Sequence, residues 1–173
     1  MLKIFIINEK ISHDIQSIDM ILDKFDYALL MHLQKDCLTP LRELADAVHL
    51  STASVQRRIQ KLREHGYITG HTAILDPDKL NQVITIMVEV RVNKTHIADL
   101  DLLKQSFSRP EVQQCYYVTG DADFILILLV PSMSRFQALC DELFHCNSNV
   151  EWFKTTVVLD RIKVSLDVLH PQD

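Results

Sequence analysis

Apolar residues recur along this chain with two different periods, and the change near Asn81 divides it in two. Before that point the spacing is helical. Phe25, Leu29, Leu30 and Leu33 predict a first helix that ends before Asp36 to Thr39. Leu41, Leu44, Ala45 and Val48 predict a shorter second one ending at His49-Leu50. Pro40 suits its first turn, where the missing N–H is not needed. The third helix, from Ser51 to His65, places Val55, Ile59 and Leu62 on one apolar stripe, with Ala53, Gln56, Arg57, Gln60 and Lys61 opposite. Ser51 is suited to cap it, and Gly66 to follow it in a left-handed conformation. The second and third helices with their tight connection are a helix-turn-helix arrangement. Thr69 to Leu75 is β-prone and predicts a wing or a connecting strand.

After Asn81 the period becomes two. Ile84, Ile86, Val88, Val90 and Val92 alternate with Thr85, Met87, Glu89 and Arg91, the pattern of a strand with one face buried. Thr95 then caps a helix carrying Ile97, Leu100, Leu103 and Phe107, which Arg109-Pro110 stops. A strand from Val112 to Thr119, a turn at Gly120 to Asp123 and a strand from Phe124 to Val130 follow. A helix bears Met133, Phe136, Leu139, Cys140, Leu143 and Phe144 on one side, and Val150 to Leu159 is the fourth strand. The order β-α-β-β-α-β is that of a ferredoxin-like domain. Arg161 to Leu169 is a candidate fifth strand.

The expected fold class is therefore α+β, a winged or plain helix-turn-helix domain over 22–70 followed by a ferredoxin-like βαββαβ domain over 83–173. Residues 71–82 form the linker strand or hinge. Residues 1–21 are an extension with three open readings: an added strand, an oligomerisation arm, or sequence upstream of a start at Met20. Loose docking is the ordinary behaviour of such a terminus.

Every position of Phe124 to Val130 is apolar, so both faces of that strand require burial, whereas helices cover only one face of this kind of sheet. A second copy of the sheet is the simplest cover; Arg161 to Leu169 or the N-terminal extension is the alternative within one chain.

With 173 residues, 47% of them hydrophobic, the chain can build real cores. Its net charge of −5 argues against indiscriminate coating of nucleic acid but permits a basic face on an acidic body. Such a face occurs on the third helix, where Arg57, Arg58, Lys61 and Arg63 outnumber Glu64. The candidate contacts to double-stranded DNA are Ser51, Thr52, Ala53, Ser54, Gln56, Arg57, Arg58, Gln60 and Lys61. Small residues in the first turn let the backbone approach a groove, and the long side chains reach base edges and phosphates. Arg57 and Gln60 are expected to discriminate among sequences, and Arg58 and Lys61 to contact phosphate. The plainer alternative is a surface helix with a solvated charged face.

Cys37, Cys115, Cys140 and Cys146 form no CxxC pair and no zinc-spaced set with histidine, so reduced and mostly buried thiols are expected, as in a cytoplasmic protein. No metal or cofactor is expected. No apolar run reaches the length of a membrane span.

The chain resembles the Lrp/AsnC family of feast/famine transcriptional regulators from about Leu22 to Leu169. The resemblance rests on LDKFDYALLMHLQKD at 22–36, LRELADAVHLSTASVQRRIQKLREHGYI at 41–68, HTAILDP at 71–77, VTGDADF at 118–124 and VVLDRIK at 157–163. It implies a DNA-binding domain joined to a ligand-sensing and oligomerisation domain, homodimers that assemble further, often into octamers, and an amino acid as the small-molecule effector. The effector pocket it implies lies between subunits near a Gly-Asp-x-Asp turn, which falls on Gly120, Asp121 and Asp123, with Thr155 from the fourth strand. A carboxylate there can take an α-ammonium and the N–H groups of a glycine turn an α-carboxylate, and this turn is expected to be the one place in the second domain that offers both. The alternative is that these residues only build a tight hairpin. Two positions depart from the family pattern: Phe153-Lys154-Thr155 stands where many members have Thr-x-Thr, and Cys37-Leu38 where Gly-Arg is common. The competing class is an enzyme, because tetrapyrrole decarboxylases share this two-domain layout. The eight histidines are scattered and make no recognisable catalytic set.

Overall fold

The computed structural model describes residues 20–82, 84–93 and 100–168, which fall into two compact units. One runs to Ala73 and includes Val164 onward; the other spans Ile74–Lys163.

In the first unit α1 (Lys24–Leu33), α2 (Leu41–Val48) and α3 (Thr52–Glu64) form where the apolar spacing places them. Asp23 caps α1: its carboxylate accepts from the N–H groups of Phe25 and Asp26, while the Asp26 carboxylate accepts from the N–H of Asp23. These bonds satisfy donors that the helix itself cannot. Leu29, Leu44, Ala45, Val48, Val55 and Ile59 close a single core, with Leu62 fully buried as well. The α2–α3 turn is made by His49 in a left-handed conformation at φ 55° and by Ser51, whose Oγ accepts from the N–H of Ser54 at 3.3 Å. Gly66 is left-handed at φ 75°, as its place after α3 requires.

The second unit contains β1 (Ile84–Val92), α4 (Leu100–Ser106), β2 (Val112–Tyr117), β3 (Phe124–Val130), α5 (Met133–Cys140) and β4 (Val150–Val157). Its four-stranded antiparallel sheet has the order β2-β3-β1-β4. Ile86, Val88, Val90, Phe124, Leu126, Leu128 and Val130 point to one face and are buried with Leu103, Phe107, Phe136, Leu139, Leu143 and Phe144 of the helical layer. The last turn of that layer, Asp141–His145, widens into a π-helix. Thr95 and Ile97 lie outside the described residues, as does the N-terminal extension through Asp19.

Four expectations are corrected. Thr69 to Leu75 is neither wing nor strand but exposed chain, with Ile74 96% exposed; no strand among the described residues takes its backbone bonds. Over 161–168 there is likewise no fifth strand, and from Val164 this segment groups with the helices instead of the sheet. Val168 donates its N–H to Gln34 Oε1 and accepts from Gln34 Nε2. Met133 is exposed, because it opens α5 before the helix settles on the sheet. Of the cysteines only Cys140 is buried; Cys37 is half-buried, and Cys115 and Cys146 are exposed. Cys115 lies on edge strand β2, whose outer side no described strand covers.

Candidate DNA interface and effector site

The N-cap Ser51 and the outer face of α3 present Thr52, Ala53, Gln56, Arg57, Gln60 and Lys61 to solvent, with Ser54 half-buried among them. The buried stripe of Val55, Ile59 and Leu62 fixes this orientation. Gln60 donates to Glu64 Oε1 at 2.9 Å, one turn along the same helix. Arg63, beyond the expected set, lies 3.1 Å from His71 Nε2.

Arg58 departs from its expected role. Its Nη1 lies 2.7 Å from Asp26 Oδ1 and its Nη2 2.9 Å from Asp23 Oδ2, and the guanidinium sits 5.4 Å from the centre of the Phe25 ring. Asp26 is only 2% exposed, so the arginine neutralises a buried carboxylate and ties α3 to the start of α1. Arg58 thus holds two carboxylates of its own helical unit. The amphipathic pattern could not reveal this, because Arg58 stands 32 residues from its partner Asp26. Burial raises the Asp23 pKa, but the N–H groups of Asp26 and Phe25 and the Arg58 guanidinium outweigh it and hold the carboxyl below its ordinary 3.8. The pairing with Asp26 raises Arg58 in turn.

In the sheet domain the Gly120 turn closes the β2–β3 hairpin beyond the row Tyr117, Phe124, Val90 and Phe153, which lie opposite one another across all four strands. Gly120 (φ 121°) and Asp121 are exposed. Asp123 is not: it is 2% exposed, its Oδ2 accepts from the N–H of Val92 at 3.0 Å, its N–H donates to Val90 and its carbonyl accepts from Val118. This carboxylate fastens the turn to the end of β1 and is buried there. Arg91 of β1 donates to the Asp121 carbonyl at 3.0 Å. Thr155 is exposed on β4 opposite Val88, and β1 separates β4 from β3. One chain therefore brings Gly120 and Asp121 together but leaves Thr155 two strands away, about 10 Å by strand spacing alone. Phe153 packs against Phe144 at 4.7 Å and His145 at 5.0 Å between ring centroids, so an aromatic contact replaces the hydroxyl that a threonine would offer.

Nor is the turn the only place with both charge types. At the other end of the sheet Glu111 and Arg135 line a cleft of about 370 Å³. The Arg135 pairing holds the Glu111 carboxyl below its ordinary 4.5.

A helix-turn-helix unit with a solvent-facing basic second helix, joined to a βαββαβ sheet domain, defines a two-domain DNA-binding regulator. Residues 22–63 match the AsnC-type helix-turn-helix domain and residues 85–168 the Lrp/AsnC ligand binding domain. An HTH-type transcriptional regulator of Sinorhizobium fredii is 37% identical, over 89% of this chain and 92% of its own length. The crystal structure of an AsnC family transcriptional regulator from Agrobacterium tumefaciens is similar with a TM-score of 0.80 at 30% identity, covering 86% of this chain and 97% of that one. A transcriptional regulator of Neisseria meningitidis, solved as an L-Met complex, has a TM-score of 0.80 at 26% identity, covering 86% of this chain and 97% of that one. The chain belongs to the Lrp/AsnC family of transcriptional regulators. That its relatives are named as regulators disfavours the enzyme reading. No helix among the described residues is long and apolar enough to cross a membrane.

Proposed function

We propose that this regulator works in the cytoplasm as a homodimer, able to assemble further, that reads duplex DNA through α3 and answers to an amino acid. The carrying observation is the exposure of Gln56, Arg57, Gln60 and Lys61 on a helix whose other side is locked into the core. Ser51, Thr52, Ala53 and Ser54 bring the helix N-terminus to the DNA backbone, Arg57 and Gln60 read base edges in the major groove, and Lys61 contacts phosphate. Arg58 has no part in this contact.

The effector site takes Gly120 and Asp121 from one subunit and Thr155 from another, since a single chain holds them apart. The Asp121 carboxylate accepts from the ammonium and the N–H groups of the turn donate to the ligand carboxylate, while Asp123 shapes the turn from within. The L-Met bound by the Neisseria relative supports this ligand class. Coupling between effector and DNA of about 1 to 3 kcal/mol is expected.

Genome-wide recovery of bound fragments, with and without a mixture of amino acids, tests both halves. Enrichment of a common sequence that Arg57→Ala blurs is the expected result. Equal affinity for every duplex would remove the DNA-reading assignment, and a fragment profile indifferent to all amino acids the effector assignment.

A further inference from the structure

We propose that the chain leaving α3 is a second DNA contact, in which Arg63 and His71, with the free N–H groups of Gly70 to Thr72, take a backbone phosphate beside the groove that α3 enters. It rests on the reading of α3 given above and carries the contact past Lys61 and off the end of the helix.

Placement comes first. Arg63 stands seven residues after Gln56 and three after Gln60, so the three form one solvent-facing row running toward the C-terminal end of α3. The chain then turns through left-handed Gly66. The N–H groups of Tyr67 and Ile68 both donate to the Leu62 carbonyl, at 2.9 and 3.2 Å, and Ile68 packs on the helical core. This fastening fixes where the segment starts, and His71 marks its return to α3, with Nε2 3.1 Å from Arg63 Nη2.

The chemistry at that meeting point suits an anion. A guanidinium only donates, so His71 Nε2 is the unprotonated ring nitrogen and accepts. Arg58, Arg91, Arg109, Arg135 and Arg161 each hold a carboxylate, but Arg63 has none among the described residues, and a neutral imidazole leaves its charge uncompensated. Its charged and titratable neighbours on α3 are Lys61, Glu64 and, at the C-cap, His65. Glu64 Oε1 accepts from Gln60, and His65 Nδ1 donates to the Lys61 carbonyl at 2.8 Å. The N–H groups of Gly70, His71 and Thr72 donate to no described group, and all of these residues are exposed. Guanidinium, imidazole and free N–H groups are the donors that phosphate oxygens of the DNA backbone take. With a phosphate oxygen between Arg63 and His71, the imidazole gains by accepting a proton and donating as well. DNA binding then takes up a proton, and affinity rises as pH falls through the histidine range, from about pH 8 to about pH 6.

Fluorescence anisotropy of the full chain on a labelled duplex of mixed sequence tests this, since a phosphate contact needs no particular sequence. Arg63→Ala should lower the slope of log affinity against log salt by about 1. His71→Ala should do so at about pH 6 and not at about pH 8, and should remove most of a rise in affinity of roughly threefold or more between them. In the unsubstituted protein the imidazole nitrogen NMR signals of His71 should keep their protonated positions to higher pH in the complex than in the free chain. That reading does not depend on how the variants fold. Unchanged slopes in both variants, or the same His71 titration with and without DNA, overturn the proposal. Lys61→Ala tells this failure from that of α3 itself. A slope lowered by Lys61→Ala alone removes only the second contact, and a slope moved by none of the three removes the α3 reading with it.

Discussion

Two cations one turn apart on α3 have opposite fates. Lys61 stands in solvent, whereas Arg58 reaches inward to a carboxylate that is 2% exposed. Removing one partner of a buried pair leaves the other charged and unpaired, so Arg58→Ala should destabilise the helical unit by about 3 to 5 kcal/mol in denaturant unfolding. Lys61→Ala should leave the unfolding curve in place and lower the slope of log affinity against log salt by about 1. An unchanged midpoint for Arg58→Ala would return that residue to the DNA contacts. Acid should attack both units through their depressed carboxyls. Asp23 and Glu111 titrate lower in the folded chain than in the unfolded one, so each contributes stability that is present above its ordinary pKa and lost as pH falls through the depressed value. Circular dichroism melts should therefore be flat in these contributions above about pH 5 and decline below about pH 4. In Glu111→Gln the decline should be shallower for the sheet unit, and an identical profile would mean that Glu111 does not contribute.

At the scale of elements, β3 separates two kinds of burial that its sequence presents as one. Leu126 is fully buried against the helices, while Ile127 points to the open face of the sheet beside Met87 and Gln114 and is half-buried. Leu126→Asp should unfold the sheet domain, because a carboxylate in that core costs several kcal/mol. Ile127→Asp should keep the melting curve of an isolated domain and change only assembly; loss of the fold in both would refute the distinction. Periodicity made α1 to α3 and all four strands legible, since a single buried face writes itself as a repeat of 3.6 or 2. It failed where the determinant lies outside the element. The segment 69–75 has strand-like residues but no strand to bond among the described residues, and 161–168 alternates apolar and polar side chains yet forms no strand. The candidate site divided the same way. Gly120 and Asp121 were readable from turn chemistry, but the inward course of Asp123 depends on the Val92 N–H 31 residues earlier, and the Glu111–Arg135 cleft on a pair 24 residues apart.

On the open face of the sheet, Thr85, Met87, Ile125, Ile127 and Leu129 lie together with Tyr116, Met87 being 41% exposed and Tyr116 49%. No described segment forms a further strand on this sheet. A face of this composition favours a second copy, and a two-fold pair of sheets would carry two α3 helices related by the same axis. In such a pair each helix would meet one half-site, and half-sites about one helical turn apart, roughly 10 bp, or a multiple of it, should be preferred. Joining the two contacts converts the second into an intramolecular event, worth about 10² to 10⁴ in apparent affinity when the geometry permits both. Ile127→Asp should therefore sediment as a monomer at micromolar concentration and lose that factor, while keeping the weak affinity of one helix for one half-site. Inserting about half a turn, roughly 5 bp, between half-sites should cost the unsubstituted protein a similar factor and leave Ile127→Asp unaffected. A monomeric unsubstituted protein in sedimentation equilibrium, or indifference to the insertion, would show that this face has some other cover and that each α3 reads DNA alone.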